Sequence, residues 1–304
     1  MTMEKRKKIG RIVAVIMIVL LLIVGLAAVY IWVNPVWHAA ELKIEQGKKK
    51  YQLAEVVPEG MTLETRFTPP EGYERVEAED GSFAEYLREY PLLPDCTRLP
   101  VFDGSAIDSP YCAAVFDISV GDEGYQQCAD SIIRLYSDYF YQKGQFDKIT
   151  FQFSNGDECS YPRWRKGRRM LVLGDFSCEI PAAPPDDSEQ QYRNYLKEVM
   201  NYAGTLSLQK ESAVISPDEL RIGDFICNDT HVVMITDMAV NDKGEKVYLI
   251  GQSFIPAVCF HIITDLDGSE PTAWFTEDRL REEKFQIGAF SFEQKDIRRW
   301  KDGF

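Results

Sequence analysis

The stretch QQCADSIIRLYSDYFYQKG, residues 126–144, decides the fold because it holds the most regular helical pattern of the chain. Its apolar residues, from Ile132 to Tyr139, recur every three or four positions and therefore share one face of a helix. Such a face must pack against other elements, and Gly144 marks the end of the pattern. The stretch predicts an amphipathic core helix that begins at Cys128.

Shorter patterns predict further elements on both sides of this helix. A serine before an amphipathic run predicts helices at 82–90 and 188–202. Strands are predicted at 111–118, 148–154, 169–175, 224–227, 232–238 and 247–253, with the last two joined as a hairpin. Helices dominate the first part of this region and strands the last, which is typical of the α+β class.

The N-terminal end predicts a membrane anchor. Basic residues at positions 5–11 precede residues 12–33, which carry no charge and are long enough, at ~1.5 Å per residue, to span a ~30 Å hydrocarbon core. The basic side is expected to stay in the cytoplasm. A long signal peptide cut near Ala27 or Ala28 is the alternative, and it would leave the rest of the chain in the same compartment.

We therefore divide the chain into three parts. Residues 1–34 are predicted as a cytoplasmic tip with one transmembrane helix, and residues 35–68 as a Lys-rich, membrane-proximal stalk. Residues 69–304 are predicted as a single extracytoplasmic domain, because no low-complexity linker divides them. The expected location is the cell membrane, crossed once, with this domain outside the cytoplasm.

The charge of the chain restricts its partners. The formal net charge is −14, from 34 Lys and Arg against 48 Asp and Glu, which excludes a general nucleic-acid binder because such proteins neutralise phosphates. A basic cluster at 163–169 contains Trp164 and Arg165, which are candidate substrate contacts unless the cluster is simply a solvated turn. No CxxC, HExxH or P-loop motif occurs, so neither a metal nor a cofactor is expected.

The seven cysteines predict three disulfides and one leftover thiol in an extracytoplasmic chain. Three neighbouring pairs of positions, 96 with 112, 159 with 178 and 227 with 259, lie on predicted strands or loops, although the sequence alone does not choose the connectivity. Cys128 differs because it begins the helix. We expect it to be the leftover thiol, either reactive or buried and inert.

Cys128 is the candidate nucleophile. The positive end of the helix dipole favours a thiolate at this position, although the nearby Asp130 opposes it. A base is also needed, and the chain offers three histidines. His38 lies beside the anchor and His261 follows Cys259 in a predicted strand, whereas His231 begins an apolar strand directly after a Gly-Asp loop. We therefore predict His231 as the base.

Gln252 is the candidate that orients this base. It lies on the strand expected to pair with that of His231, ~4.8 Å away, and its amide oxygen can accept the imidazole N–H. Asp237 shares the strand and face of His231 but would be ~20 Å away along it. The oxyanion of acyl transfer would be bound by the backbone N–H of the nucleophile and by the side chain of Gln126 or Gln127.

The ordered set of motifs resembles the papain-like superfamily. A Gln-Cys pair opens a helix, a Gly-Asp turn follows at 221–226, a histidine heads the next strand, and Gln-Ser-Phe stands at 252–254. The likeness is strongest to NlpC-type and CHAP-type cell-wall amidases and endopeptidases. It implies a Cys-bearing helix packed on an antiparallel sheet, a Cys128, His231 and Gln252 triad without a metal, and a cell-wall peptide as substrate. The Gly-Ser-Cys-Trp type of nucleophile motif is missing.

Longer stretches over most of residues 69–290 resemble an uncharacterised bacterial family of exported or lipid-anchored proteins, known only as a domain of unknown function. The leading hypothesis is a membrane-anchored, extracytoplasmic cysteine hydrolase that cleaves peptide or amide bonds. The alternative is a non-catalytic binding or assembly protein of the cell envelope. A transglutaminase-like transferase, which uses the same triad, is a third hypothesis.

Overall fold

The computed structural model describes residues 53–268 and 270–301, all of which belong to one unit that runs from residue 45 to residue 304. Within these described ranges no helix is long and apolar enough to cross a membrane. The predicted anchor at 12–33 and the first part of the predicted stalk, 35–52, lie outside the described residues.

The helices of the described residues include two long ones and several short ones. In chain order they are α1 (Leu63–Arg66), α2 (Phe83–Arg88), α3 (Cys128–Gln142), α4 (Tyr161–Arg165), α5 (Glu189–Tyr202), α6 (Thr205–Glu211) and α7 (Glu277–Leu280).

The strands are mostly short, and those from the last third of the chain form most of the main sheet. In chain order they are β1 (Tyr73–Arg75), β2 (Leu99–Pro100), β3 (Ala106–Ile107), β4 (Cys112–Val115), β5 (Thr150–Gln152), β6 (Glu158–Ser160), β7 (Arg168–Leu173), β8 (Phe176–Pro181), β9 (Ser212–Val214), β10 (Phe225–Cys227), β11 (Val232–Asn241), β12 (Lys246–Gln252), β13 (His261–Ile263), β14 (Trp274–Thr276), β15 (Lys284–Ile287), β16 (Phe290–Glu293) and β17 (Ile297–Trp300).

The main sheet has nine strands in the order β4, β13, β12, β11, β10, β17, β9, with β1 pairing on β11 and β14 on β12. The pairs within it are antiparallel. Four two-stranded hairpins complete the strands: β2 with β3, β5 with β6, β7 with β8, and β15 with β16. The mixed composition and this sheet confirm the α+β class.

The main sheet separates two hydrophobic cores. Side chains alternate between the two faces of a strand, so that Val232 and Met234 of β11 belong to the core that contains α3, whereas Val233 and Ile235 belong to the other core. That second core is closed by the hairpin of β15 and β16, from which Phe285, Ile287 and Phe292 are buried. We call these the helix-side core and the hairpin-side core.

Most elements predicted from local patterns are present. The helix of 126–144 is α3, the helices at 82–90 and 188–202 are α2 and α5, and the hairpin of 232–253 is β11 with β12. The strands predicted at 148–154 and 169–175 are β5 and β7. Each forms its own hairpin, β5 with β6 and β7 with β8, because a tight turn follows each of them directly.

Part of the segment 35–68, which was predicted as a stalk, belongs to the folded domain. Leu53, Leu63 and Phe67 are buried in the helix-side core, and a bridge joins Val56 to Phe67. Arg66 is also buried, where its Nε donates to the carbonyl of Gly60 over 2.7 Å. The folded domain therefore includes residues from 53 onward, because this segment supplies apolar side chains that the core buries.

The Gly-Asp turn joins the sheet to α3. The Tyr136 hydroxyl of α3 donates to the carbonyl of Gly223, which has φ +95°, and a Cβ at this position would lie 3.0 Å from the ring of Phe83. A side chain here would be both strained and crowded. Asp224 accepts from Arg299 of β17 at both carboxylate oxygens over 2.7 Å. The turn is thereby held between the helix and the sheet.

Candidate functional site

The N-terminus of α3 brings Cys128 to the main sheet. The carboxylate of Asp130 accepts from the backbone N–H of Gln127 over 3.0 Å, which caps the helix and makes Cys128 its first residue. The helix packs against β11. The backbone N–H groups of Ala129 and Val232 favour the thiolate of Cys128, which places the sulfur near the first residue of β11.

The Cys128 thiol is protonated at neutral pH in this structure. It is 7% exposed, and burial, with the charge of Asp130, raises its pKa to about 12 in spite of the backbone N–H groups that favour the thiolate. The thiolate expected from the helix dipole is therefore not the resting state, because a dipole effect of ~0.3–1 kcal/mol is smaller than the cost of burying the charge.

The burial and the raised pKa of the Cys128 thiol predict slow alkylation. Only a thiolate reacts with iodoacetamide, so Cys128 of the native protein should react at least 10-fold more slowly than free cysteine at neutral pH, on the order expected from a raised pKa and low exposure. Peptide mapping by mass spectrometry after timed quenching would measure this rate. A reaction faster than that of free cysteine would show that the thiol is activated at rest.

His231 immediately precedes β11 and is held by the loop before it. The Asn228 side-chain oxygen accepts from the backbone N–H groups of both Thr230 and His231, each over 2.8 Å. The imidazole Nε2 is 2.9 Å from Oε1 of Gln252, which lies at the end of β12. The sequence-based expectation that an amide oxygen reaches this ring thus corresponds to a short, buried hydrogen bond.

An aromatic ring covers this hydrogen bond. Phe290 of β16 stacks on the imidazole of His231, with ring centroids 3.6 Å apart and an interplanar angle of 13°. Stacking at this distance excludes water from one face of the imidazole, which strengthens its bond to Gln252. His231 and Gln252 therefore face the hairpin-side core, whereas Cys128 belongs to the helix-side core on the other face of the sheet.

His261 also takes part in this arrangement, and sequence reasoning missed it. Gln252 and His261 are paired residues of β12 and β13, and their side-chain Nε2 atoms are 3.3 Å apart. The other ring nitrogen of His261 is 3.0 Å from the carbonyl oxygen of Cys259. The sequence placed His261 in a predicted strand, but only the register of that strand with β12 shows that the His261 side chain faces Gln252.

Both buried imidazoles are neutral at pH 7. Burial, ahead of the opposing bond to Gln252, lowers the pKa of His231 to about 3, and burial lowers the pKa of His261 to about 4. Burial also acts on Asp130, where it raises the pKa of the carboxyl to about 8. The site consequently carries no resting ion pair among these groups, since each charged form would lose its hydration.

These shifts predict how stability depends on pH. Between its folded pKa of about 3 and ~6.5, the unfolded chain protonates His231 and the folded chain does not, so stability falls as pH falls through this window. Asp130 acts with the opposite sign, because its raised pKa makes the folded state bind the extra proton.

A comparison with His231→Gln removes the contribution of Asp130, since that residue is common to both proteins. On going from pH ~7.5 to ~5, the wild type should lose about 2 kcal/mol more unfolding free energy than the variant. Urea unfolding at both pH values measures this difference. Equal losses in the two proteins would contradict the lowered pKa of His231.

The two glutamines predicted for the oxyanion hole make local contacts. Nε2 of Gln126 donates to Oγ of Ser131 over 3.4 Å, and its Oε1 accepts from Arg134. Nε2 of Gln127 donates to the carbonyl of Gly124 over 3.4 Å. Both amide donors are engaged at the helix N-terminus, so an oxyanion role for either remains a prediction that requires one of these bonds to break.

Trp164 and Arg165 lie in α4, and their side chains contact α5 and the segments that precede α4 and α5. Trp164 donates from Nε1 to Gln191 over 3.2 Å, and Arg165 stands over the ring of Phe146 at 4.3 Å and pairs with Asp187 at 3.0 Å. These contacts give both residues structural roles. Contact with substrate stays a prediction for each.

No disulfide joins Cys159 to Cys178 or Cys227 to Cys259, two of the neighbouring pairs whose connectivity the sequence left open, and Cys128 is not the sole free thiol. Cys159, Cys178, Cys227 and Cys259 also have free thiols. The Cys227 sulfur contacts the carbonyl of Thr205 at 3.6 Å, and that of Cys259 contacts the carbonyl of Ile118 at 3.3 Å. These four cysteines lie on β6, on β8, on β10 and on the segment before β13.

Thiol labelling follows from this finding. Alkylation of the unreduced, denatured protein should label at least the five cysteines with free thiols rather than a single site. Peptide mapping by mass spectrometry gives the number directly. Labelling restricted to Cys128 would show that the other four are paired in disulfides.

Asp237 lies on the opposite face of the sheet from His231. The pairing of β11 with β12 shifts between Ile235 and Asp237, and the irregularity reverses the alternation of side chains. The Asp237 carboxylate is fully buried, where it accepts from Nε of Arg75 over 2.6 Å and from Nε of Arg88 over 2.8 Å. Its role is to hold β1 and α2 against β11.

Among residues 53–268 and 270–301, no group of three or more His, Cys, Asp or Glu side chains is placed to hold a metal ion. A groove of about 850 Å³ lies elsewhere, and the residues that line it include Tyr136, Phe151, Trp300, Lys148 and Lys210.

The chain matches one family model, described as Domain of unknown function (4846), over residues 63–299. No curated protein and no solved structure matches it. The match confirms the resemblance to an uncharacterised domain family and covers nearly all of the described residues. It adds no link to the papain-like superfamily.

Proposed function

Starting from the fact that the chain belongs to the DUF4846 family, we propose that it is a cysteine hydrolase that cleaves peptide or amide bonds, with a papain-like arrangement of the NlpC type. Cys128 is the nucleophile, His231 is the base and Gln252 orients the base. One observation carries the proposal: His231 Nε2 and Gln252 Oε1 form a buried hydrogen bond of 2.9 Å, and His231 immediately precedes Val232, whose backbone N–H favours the thiolate of Cys128.

The neutral thiol and neutral imidazole suit a general-base mechanism. His231 takes the proton from Sγ as the sulfur attacks the carbonyl carbon, and the carbonyl electron pair moves to oxygen. The backbone N–H of Cys128 has no partner within the helix at the first helical position and is the donor proposed for that oxyanion. The imidazolium then gives its proton to the leaving amine, which leaves an acyl thioester on Cys128.

Water completes the reaction. His231 removes a proton from a water molecule that attacks the thioester, and the returned proton regenerates the thiol. Gln252 holds the ring throughout, so that the same nitrogen accepts and returns each proton. Since the sulfur is 7% exposed, substrate must displace some of the side chains that cover it before the attack.

The proposed substrate is a peptide of the cell envelope. The uncharged run at 12–33 with a basic cluster before it motivates a membrane-anchored protein whose domain lies outside the cytoplasm. Peptide or amide bonds of peptidoglycan are the proposed targets. The acidic chain, with a net charge of −14, favours recognition through local contacts over bulk attraction to anionic polymers.

A non-catalytic binding or assembly protein is the second candidate. The observations that favour it are the burial of Cys128, the pKa of its thiol near 12 and the position of His231 on the hairpin-side face of the sheet. In such a protein the His231 and Gln252 pair would only stabilise the ends of β11 and β12.

Incubation of the full chain, in detergent, with purified peptidoglycan distinguishes the candidates. The wild type should release soluble peptide fragments identifiable by mass spectrometry, and Cys128→Ser should release none. Cys178→Ser, on the β7 and β8 hairpin, is the matched control and should behave as the wild type. Binding to sacculi without release by the wild type would support the binding protein, and incorporation of an added amine would support a transferase.

A further inference from the structure

We propose that His261 is a positioning residue of this site, which fixes the orientation of the Gln252 amide and thereby determines which nitrogen of His231 acts as the base. The inference deepens the proposed function and rests on it for its catalytic consequence. The arrangement of protons that it assigns can be tested whether or not the protein is an enzyme.

The three side chains form one buried chain of hydrogen bonds. His231 Nε2 is 2.9 Å from Gln252 Oε1, Gln252 Nε2 is 3.3 Å from His261 Nε2, and His261 Nδ1 is 3.0 Å from the carbonyl oxygen of Cys259. Gln252 and His261 are fully buried, and His231 is 2% exposed. Because water has so little access, each of these hydrogen bonds needs one donor and one acceptor from the three side chains and the carbonyl.

The protons of this hydrogen-bond network can be assigned by starting at the carbonyl of Cys259. A carbonyl oxygen only accepts, so His261 Nδ1 must carry a proton. His261 is neutral, which leaves its Nε2 as an acceptor that requires the NH₂ end of Gln252. The oxygen end of the amide therefore faces His231, whose Nε2 must donate. His231 is left with a lone pair on Nδ1, the nitrogen that can accept the thiol proton.

The opposite amide orientation is strongly disfavoured. If the amide oxygen faced His261, the Nε2 of His261 would need a proton in addition to the one on Nδ1, which makes a cation in a fully buried position. If it stayed neutral instead, two acceptors would face each other without a proton. His261 thus transmits the constraint of one backbone carbonyl to the imidazole of His231.

The surroundings hold this arrangement in place. Gln252 and His261 are directly paired across β12 and β13, and the Phe254 ring packs at nearly a right angle to the His261 ring, with centroids 5.8 Å apart. Gly288 closes the other side, where an added Cβ would lie 3.7 Å from Gln252 Nε2. A substitution at His261 that removes the acceptor would leave the amide free to turn over.

The direct test is the tautomer of each histidine, measured by ¹⁵N chemical shifts of imidazole nitrogens at neutral pH. The wild type should show neutral His231 protonated at Nε2 and neutral His261 protonated at Nδ1. His261→Phe, which keeps a ring of similar shape without an acceptor, should shift His231 toward the form protonated at Nδ1. His261→Gln, which can place an oxygen near the former Nε2, should restore the original form.

Kinetics then test the catalytic consequence. With peptidoglycan fragments as substrate, His261→Phe should lower kcat by on the order of 10-fold or more with KM changed less than about 2-fold, because a wrong tautomer removes the base. His261→Gln should recover most of the loss. A merely structural role would lower thermal stability in both variants alike and leave the His231 tautomer unchanged.

The outcomes separate the two proposals. A wild type in which His231 carries its proton on Nδ1, or a His261→Phe variant with an unchanged tautomer, overturns the role of His261, and the wild-type spectrum decides even if that variant does not fold. The expected tautomers in a protein that hydrolyses nothing would leave the proton assignment standing and overturn the proposed function.

Discussion

Cys128→Ala and His231→Ala should each lower kcat/KM for peptide hydrolysis by at least about 10³-fold, because each removes a group whose bond-making or proton transfer the reaction requires. Gln252→Ala should lower it less, by about 10- to 100-fold, since an orienting residue acts through the base. The measurement is steady-state release of product from peptidoglycan fragments, with each variant at equal concentration.

Folding controls give these losses their meaning. Cys128→Ala removes a single buried sulfur and should cost about 1 kcal/mol of unfolding free energy, which leaves the domain folded. Cys178→Ala, on the β8 strand of a separate hairpin, should retain full activity. Retained hydrolysis by either Cys128→Ala or His231→Ala would contradict the mechanism, whatever the effect of the third substitution.

Asp237→Ala should be the most destabilising single substitution considered, at about 3–5 kcal/mol, because it leaves one buried and one partly buried guanidinium group without their carboxylate. The Asp237 side chain is 0% exposed, and those of Arg75 and Arg88 are 17% and 8% exposed. Loss of the carboxylate would release β1 and α2 from β11. Urea unfolding followed by circular dichroism measures the change.

Asp242→Ala is the matched control for this prediction. Asp242 is an exposed residue of the turn that joins β11 to β12, and removal of its carboxylate should change stability by less than about 0.5 kcal/mol. A loss of less than about 1 kcal/mol in Asp237→Ala would show that the two arginines find other partners or reach water.

The elements fixed by short-range signals were predictable from the sequence. Ser82 and Ser188 accept from the backbone N–H groups of Glu85 and Gln191, so each caps the helix that its position predicted. The apolar period of 126–144 gave α3 nearly to the residue, and the alternation of 232–253 gave β11 and β12. The proximity of His231 and Gln252 followed, because two strands of one hairpin share a small range of registers.

The remaining features depend on contacts that no local pattern contains. The pairing of Gln252 with His261 requires the chain to return to the sheet after the loop 253–260. The irregularity between Ile235 and Asp237 places the Asp237 side chain on the face opposite to the one that simple alternation predicts. The pKa of Cys128 depends on how much protein covers the sulfur, which outweighs the helix dipole. The sequence could place a thiol at a helix N-terminus but could not show its burial.

The most direct test of the account is a search for the acyl thioester on Cys128. Wild-type protein would be mixed with soluble muropeptides, quenched in acid at short times and mapped by mass spectrometry, with His231→Ala as a parallel sample. The account predicts a transient mass increase on the peptide that contains Cys128, equal to the acyl part of the substrate, which is absent from the variant. Release of product with no adduct on Cys128 at any time, or an adduct on another cysteine, would contradict it.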